Sequence, residues 1–200
     1  ESDLKAALNT DNQLFEVVSK HGNAADSALC FRLTGLVYMQ MAWYDKALDY
    51  LMQALQIYKK TGDTIMKAKA LMNIGTVHDI MGNLPMSLSY YNQALDYFNQ
   101  KKNSGGIADC ELNIAILLTK QKKYTEACNK LLSAAAIYEK KGNTSNLAAA
   151  YINLGLAYYR IGNLAEAEKA WADAIRYNPS SSVAYSNMAF VYLSRNEKLK

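Results

Sequence analysis

Apolar residues recur along the chain at the spacing of helices rather than of strands. Leu51, Leu55 and Tyr58 follow one another at intervals of four and three residues, and Tyr91 and Phe98 occupy the equivalent places one repeat later. Side chains three and four residues apart share one face of a helix. No segment alternates between apolar and polar residues with period two. The pattern therefore predicts helices and no strands.

Glycine and proline mark where these helices end and begin. Gly62 and Gly142 follow lysine pairs in KKTG and KKGN, a composition typical of helix C-termini. The segment MGNLP at 81–85 ends one helix and places Pro85 in the opening turn of the next. The segment IGN at 161–163 is a further stop signal. These signals divide the chain into pairs, each with a first helix and a second helix.

The helix pairs repeat. A small residue occurs in each first helix at intervals of 40 residues, with a fifth after a further 34, at Gly35, Gly75, Ala115, Gly155 and Ala189. Other small residues follow 12 and 19 positions later, at Ala47, Ser87, Ala127 and Ala167 and at Ala54, Ala94, Ala134 and Ala174. Such pairs must stack to bury their apolar surface. We expect the first set to lie where a first helix meets its own second helix.

This set of motifs resembles the tetratricopeptide repeat. Its aromatic residue three places after the small one is present at Tyr38, Tyr158 and Tyr192, and its Asn-Pro is present at Asn178 and Pro179. The 40-residue period resembles the long-helix subclass of the family. The resemblance implies an all-α fold, a right-handed superhelical solenoid of stacked antiparallel helix pairs. The chain departs from the motif at His78, Leu118, Glu111 and Ser87.

The repeat boundaries predict one domain over residues 1–200. Residues 1–27 would supply the second helix of a preceding or capping unit, because 7–22 aligns with the second helix at 47–62. The predicted units after it are repeats 1 to 4 and the first helix of a truncated fifth repeat, at 28–67, 68–107, 108–147, 148–181 and 182–200.

Charge and cysteine content narrow the functional classes. The chain carries 22 basic and 18 acidic residues, a net charge of +4, with no run of five like charges, so nucleic acid is not an expected partner. No stretch approaches the roughly 18 apolar residues of a membrane span, so no membrane insertion is expected. Cys30, Cys110 and Cys128 include no CxxC pair. They predict free thiols in a reducing compartment and a cytoplasmic location.

No motif predicts an enzyme or a cofactor. The two histidines, His21 and His78, lie in different units, and neither has a partner at metal-ligand spacing. His78 stands where the family has a packing tyrosine, which predicts a half-buried histidine with its polar atoms satisfied. Cys30 and Cys110 stand where other units have alanine, which predicts small core residues.

An asparagine two residues before the small residue is present in four successive units, as Asn73, Asn113, Asn153 and Asn187. An amide offers both a donor and an acceptor, which suits the backbone of a bound peptide. The resemblance implies a ladder of asparagines along the floor of a concave groove. The alternative is that duplication retained them and that they only bond to neighbouring helices.

Helical geometry assigns the asparagines to a face of their own. In the second unit, Leu71, Ile74, Gly75 and His78 share one face, which alone is expected to pack on the partner helix. Lys69, Met72, Asn73, Thr76 and Ile80 share the other. Beside the asparagines, this second face supplies the further candidate binding residues Arg32, Leu36, Met39, Lys69, Met72, Thr76, Leu112, Ile116, Lys120, Ile152, Leu156, Tyr159, Arg160 and Phe190.

The candidate groove is largely apolar, which favours a partner with apolar anchors. The carboxylate clamp of some family members is broken, because Leu36, Asp109 and Asn113 replace its residues. The leading prediction is a non-enzymatic scaffold that holds an extended or helical protein segment. The alternative is a sensor or regulatory region of a larger signalling protein, such as a histidine kinase or transcription regulator. Open solenoid ends could also join two copies, and Trp43 could anchor a partner.

Overall fold

The computed structural model describes residues 22–197, with side chains to residue 193. The helix predicted within residues 1–27 lies largely outside this range, as does His21. The described residues form nine α-helices and no strand: α1 Ala24–Gln40, α2 Tyr44–Thr61, α3 Thr64–Ile80, α4 Leu84–Gln100, α5 Ser104–Lys120, α6 Tyr124–Lys140, α7 Thr144–Ile161, α8 Leu164–Tyr177 and α9 Ser182–Glu197. They divide into two compact units at Asn103 and Ser104.

Unit 1 contains α1 to α4, and each helix packs on the next. The two helices of a pair run antiparallel, since Phe31 and Tyr38 of α1 approach Tyr50 and Trp43 with ring centroids 6.1 and 5.7 Å apart. The helices touch most closely at the small residues. A Cβ added to Gly75 would lie 2.9 Å from the Tyr91 ring of α4. This confirms the contact predicted for the glycines of α1 and α3.

Unit 2 contains α5 to α9, again with each helix packed on the next. A Cβ added to Gly155 of α7 would overlap Nε1 of Trp171 on α8, and Ala115 of α5 is fully buried. Ala189 is exposed. The described residues contain no second helix that follows α9, so the contact expected at Ala189 stays a prediction.

The helix ends follow the predicted signals. Asn23 caps α1 because its side chain accepts hydrogen bonds from two backbone N–H groups. The Asp26 carboxylate in turn accepts a hydrogen bond from the Asn23 backbone N–H. Gly62 ends α2 in the left-handed conformation, at φ 76°, which glycine adopts without steric cost. Pro85 lies in the first turn of α4, where its missing N–H has no helical partner to lose.

The recurring small residues of the second helices are part of the core. The residues 12 and 19 places after each first-helix small residue are all fully buried: Ala47, Ala54, Ser87, Ala94, Ala127, Ala134, Ala167 and Ala174. Cys30 and Cys110 are also buried, and both are free thiols along with Cys128, which confirms their prediction as core residues. Over residues 22–197, no helix is long and apolar enough to cross a membrane.

Candidate partner-binding site

The candidate binding residues lie on the first helices, on a surface we call the first-helix face. In unit 1 the face comes from α1 and α3, which also contact each other directly. Leu36, Met39, Met72, Asn73 and Thr76 are all half-buried there. Half-buried apolar side chains leave hydrocarbon surface in water, and a bound segment could cover it.

Asn73 and Thr76 are more enclosed by the protein than the sequence predicts. The Asn73 amide nitrogen is buried without a hydrogen-bond partner among the described residues. The Thr76 hydroxyl donates to the Met72 carbonyl at 3.1 Å and lies 3.1 Å from the Tyr91 hydroxyl of α4. The prediction that only the Gly75 side of α3 meets the partner helix is therefore wrong. Tyr91 crosses the space beside Gly75 and reaches Thr76 beyond it.

Arg32 is partly enclosed by the protein. Its side chain is half-buried, and its Nε has no hydrogen-bond partner in the described part of the chain. It lies beside Tyr58 of α2. Burial raises the pKa of Tyr58, and the positive charge of Arg32 opposes that rise. The other basic candidates, Lys69, Lys120 and Arg160, are exposed.

In unit 2 the face comes from α5, α7 and α9, and α7 contacts both of the other first helices. Phe190 of α9 is 54% exposed. The remaining uncharged candidates are half-buried: Leu112, Asn113, Ile116, Ile152, Asn153, Leu156, Tyr159 and Asn187. Unit 2 therefore has a mostly aliphatic face in which three asparagines recur.

The Asn153 amide is partly committed to its own helix. Its Nδ2 donates to the Ala149 carbonyl one turn earlier, at 2.9 Å. A partner backbone could use this nitrogen only after that bond is broken or shared. Asn113 and Asn187 lie at the equivalent places on α5 and α9 and are half-buried.

His78 packs against an aromatic ring of its own helix pair. The prediction that His78 is half-buried is confirmed, and its ring stacks on Tyr90 at 5.4 Å. Its Nδ1 is buried without a partner in the described residues, so the expectation of satisfied polar atoms is wrong. Burial lowers the pKa of His78. The described residues hold no cluster of three or more His, Cys, Asp or Glu side chains suited to a metal ion.

The family model described as tetratricopeptide repeat matches residues 27–100 and 107–180. The chain belongs to the tetratricopeptide repeat family. The two matches cover most of the helix pairs of both units, so the resemblance seen in the small-residue motif is confirmed.

Among curated relatives of this tetratricopeptide chain, mouse alpha-soluble NSF attachment protein is 24% identical over 131 residues, which are 65% of this chain and 40% of the relative. The soluble NSF attachment protein homolog FPV033 of fowlpox virus is 24% identical over 98 residues, which are 48% of this chain and 32% of the relative. The chain therefore spans well under half the length of these relatives.

Solved structures show the same fold. BtubC from P. vanneervenii superposes with a TM-score of 0.70 at 21% identity, over 90% of this chain and 72% of that one. Aspartyl phosphate phosphatase F from Bacillus subtilis gives 0.77 at 19% identity, over 84% and 45%. At such identities the likeness concerns the fold, and it confirms the predicted all-α class of the tetratricopeptide solenoids.

Two polar clusters of unit 2 were not predicted as functional residues. The buried Glu111 accepts a hydrogen bond from Lys130 of α6 at 3.0 Å. Asp109 accepts one from the Tyr138 hydroxyl at 2.8 Å and one from Asn146 at 3.2 Å. In the sequence, Glu111 stood out as a departure from the aromatic residue of the tetratricopeptide motif, and Asp109 stood out only as a replacement in the carboxylate clamp.

Proposed function

We propose that the chain is a non-enzymatic protein-interaction scaffold, and that the first-helix face of each unit holds an extended or helical segment of a partner. The observation that carries this proposal is the run of half-buried aliphatic side chains on consecutive first helices, typified by Leu112, Ile116, Ile152 and Leu156. Surfaces of this kind are energetically unfavourable in water and are typical of interaction sites.

The partner segment would be recognised by two kinds of contact. Apolar anchors of the segment would cover the aliphatic side chains. Full burial of one such anchor contributes about 1.5 to 3 kcal/mol. Backbone groups of the segment would bond to the asparagine amides, of which Asn73 has a buried nitrogen with no partner in the described range. No feature of the described helices favours the alternative of a sensor region.

A peptide-display selection on the chain tests this proposal. We expect peptides with apolar anchors to be enriched, and to bind a Phe190→Asp variant at least about tenfold more weakly, a loss of roughly 1.4 kcal/mol. Met86→Asp is the matched control, because Met86 is an exposed apolar residue on a second helix, α4. Circular dichroism would establish that both variants fold.

The asparagines need a separate variant. Asn73→Ala, Asn113→Ala and Asn153→Ala combined should weaken the enriched peptides if the amides bind their backbone. Equal binding by parent and triple variant would show that the asparagines are structural. Failure of any peptide to enrich would contradict the scaffold proposal itself.

A further inference from the structure

Unit 2 has a hollow between the two helices of each of its pairs. A cavity of about 370 Å³ lies between α5 and α6 and is lined by Glu111, Leu118, Glu126, Asn129, Lys130 and Ser133. A cavity of about 170 Å³ follows on α7 and α8, lined in part by Tyr151, Tyr158, Glu166, Lys169, Ala170 and Asp173. We call them the lateral pockets.

The two lateral pockets are the same site in successive repeats. Each of these six residues in the first pocket has its counterpart one 40-residue period later in the second. Unit 1 fills the equivalent place with an aromatic ring. Tyr50 stacks on Tyr38 at 5.2 Å, and Tyr90 stacks on His78 at 5.4 Å. Lys130 and Ala170 replace those tyrosines in unit 2.

The first lateral pocket has a buried carboxylate as part of its wall. Glu111 is only 8% exposed. Its Oε1 accepts the hydrogen bond from Lys130, while its Oε2 is buried without a partner in the described residues. A buried acceptor without a hydrogen bond costs free energy. A donor that enters the pocket and bonds to this oxygen would recover that cost.

The charge of the first pocket selects the kind of donor. Glu111 and Glu126 outnumber Lys130, so the pocket is negative by one charge in a chain whose net charge is +4. Lys130 has 38% of its side chain exposed, so it can turn toward water as another cation arrives. In the second pocket, Asp173 is already paired with Arg176 at 3.0 Å. The first pocket is therefore the stronger site for a cation.

We propose that the first lateral pocket receives an arginine side chain of a partner protein segment, with Glu111 and Glu126 as its acceptors. A guanidinium has donors for both oxygens of one carboxylate, which a lysine ammonium matches less well. Leu118 provides an apolar wall for the methylene stem. This site is separate from the first-helix face and does not depend on the function proposed for that face.

The test is an NMR titration of the isotope-labelled chain with the blocked pentapeptide acetyl-Ala-Ala-Arg-Ala-Ala-amide. We expect saturable shifts of amide signals around Glu111, Glu126 and Lys130 at low ionic strength. The same peptide with glutamine in place of arginine should give none, and the lysine peptide should bind several-fold more weakly. Shifts of equal size with the glutamine peptide, or shifts confined to the first-helix face, would overturn the proposal.

A variant that fills the first lateral pocket with the side chains of unit 1 tests the site without a cavity left in the core. Glu111→Leu combined with Lys130→Tyr copies Leu71 and Tyr90 of unit 1, so it should fold and bind the arginine peptide at least about tenfold more weakly. Asp96→Asn removes an exposed carboxylate of unit 1 and should leave binding unchanged.

Two more variants complete the test. Glu126→Gln, at an exposed position of the rim, should weaken the peptide several-fold even if the double variant fails to fold. The variant with Asn73, Asn113 and Asn153 replaced by alanine should bind the arginine peptide with the affinity of the parent. This result would separate binding in the first lateral pocket from binding at the first-helix face. Unchanged affinity in both pocket variants would exclude the pocket as the binding site.

Discussion

Gly75 and Gly155 each occupy a place where a methyl group has no room. At Gly155 the obstacle is the Trp171 ring, and its Nε1 donates to the Ile152 carbonyl at 3.0 Å, which fixes the ring against α7. At Gly75 the obstacle is Tyr91, whose ring lies 2.9 Å from the place of an added Cβ. A glycine within a helix costs about 1 kcal/mol relative to alanine, and close packing against an aromatic ring offsets that cost here.

Replacing Gly75 by leucine should therefore destabilise the protein. Overpacking of a filled interior typically costs about 1 to 3 kcal/mol, so the urea midpoint of unfolding should fall. Ala136→Leu is the control, because Ala136 is exposed on α6. An unchanged midpoint for the Gly75 variant would contradict the close contact between α3 and α4.

At the scale of the residue, the sequence predicts packing better than polar contacts. The small residues of the core were recognisable because a close helix contact excludes large side chains at a fixed place in every repeat. The bond from Asn153 to Ala149 was not predictable, because an amide can turn toward its own helix or away from it with the same spacing. The contact between the hydroxyls of Tyr91 and Thr76 was likewise not predictable from the sequence.

At the scale of the element, hydrogen bonds to one carboxylate connect three helices of unit 2. Asp109 of α5 accepts from Tyr138 of α6 and from Asn146 of α7. Burial is the main cause that raises the pKa of Tyr138, and its hydrogen bond to Asp109 raises it further. The hydroxyl must therefore keep its proton for α5, α6 and α7 to remain packed around it.

Stability should accordingly fall in alkaline solution. The Tyr138 pKa is higher in the folded than in the unfolded chain, so its contribution is complete below the ordinary tyrosine pKa of about 10 and is lost as pH rises above it. One such group lowers the free energy of unfolding by up to about 1.4 kcal/mol per pH unit. Urea titrations between neutral pH and alkaline pH measure this slope.

Tyr138→Phe separates this effect from general alkaline denaturation. It should reduce the slope above the tyrosine pKa, whereas Tyr185→Phe should not, because Tyr185 is 51% exposed. Identical slopes for the parent and the Tyr138 variant would show that this hydroxyl does not control the alkaline loss of stability.

The elements themselves were almost entirely predictable. Helix ends at Gly62 and Pro85 follow from local backbone chemistry that needs no tertiary information. The lateral pockets were not predictable, although Glu111 stood out in the sequence as a departure from the repeat motif. A cavity depends on the volumes of side chains from two helices together, here Glu111 and Lys130 in place of an apolar residue and a tyrosine, and periodicity within one helix does not report it.

At the scale of the whole molecule, the three cysteines are distributed over both units. Cys30 lies in unit 1, Cys110 and Cys128 lie in unit 2, and all are buried. Burial raises the pKa of Cys110 to about 12, and it also raises the pKa of Cys128. Both shifts keep the thiols protonated and unreactive near neutral pH.

The folded chain should thus react with Ellman's reagent only as fast as it opens. We expect three thiols to react promptly in strong denaturant, as the sequence has three cysteines, and almost none in buffer at pH 8. Rapid modification of one cysteine in buffer would show that its helix pair opens locally while the remainder stays folded.

Each unit contains one tryptophan, whose fluorescence reports on that unit. Trp43 is 47% exposed in unit 1 and Trp171 is 1% exposed in unit 2, and the chain has no other tryptophan. Because indole emission shifts to longer wavelengths in water, the buried ring should dominate the blue side of the native spectrum and the exposed ring the red side. The order in which the two bands change during denaturation would reveal, without any label, whether the units melt together or in succession.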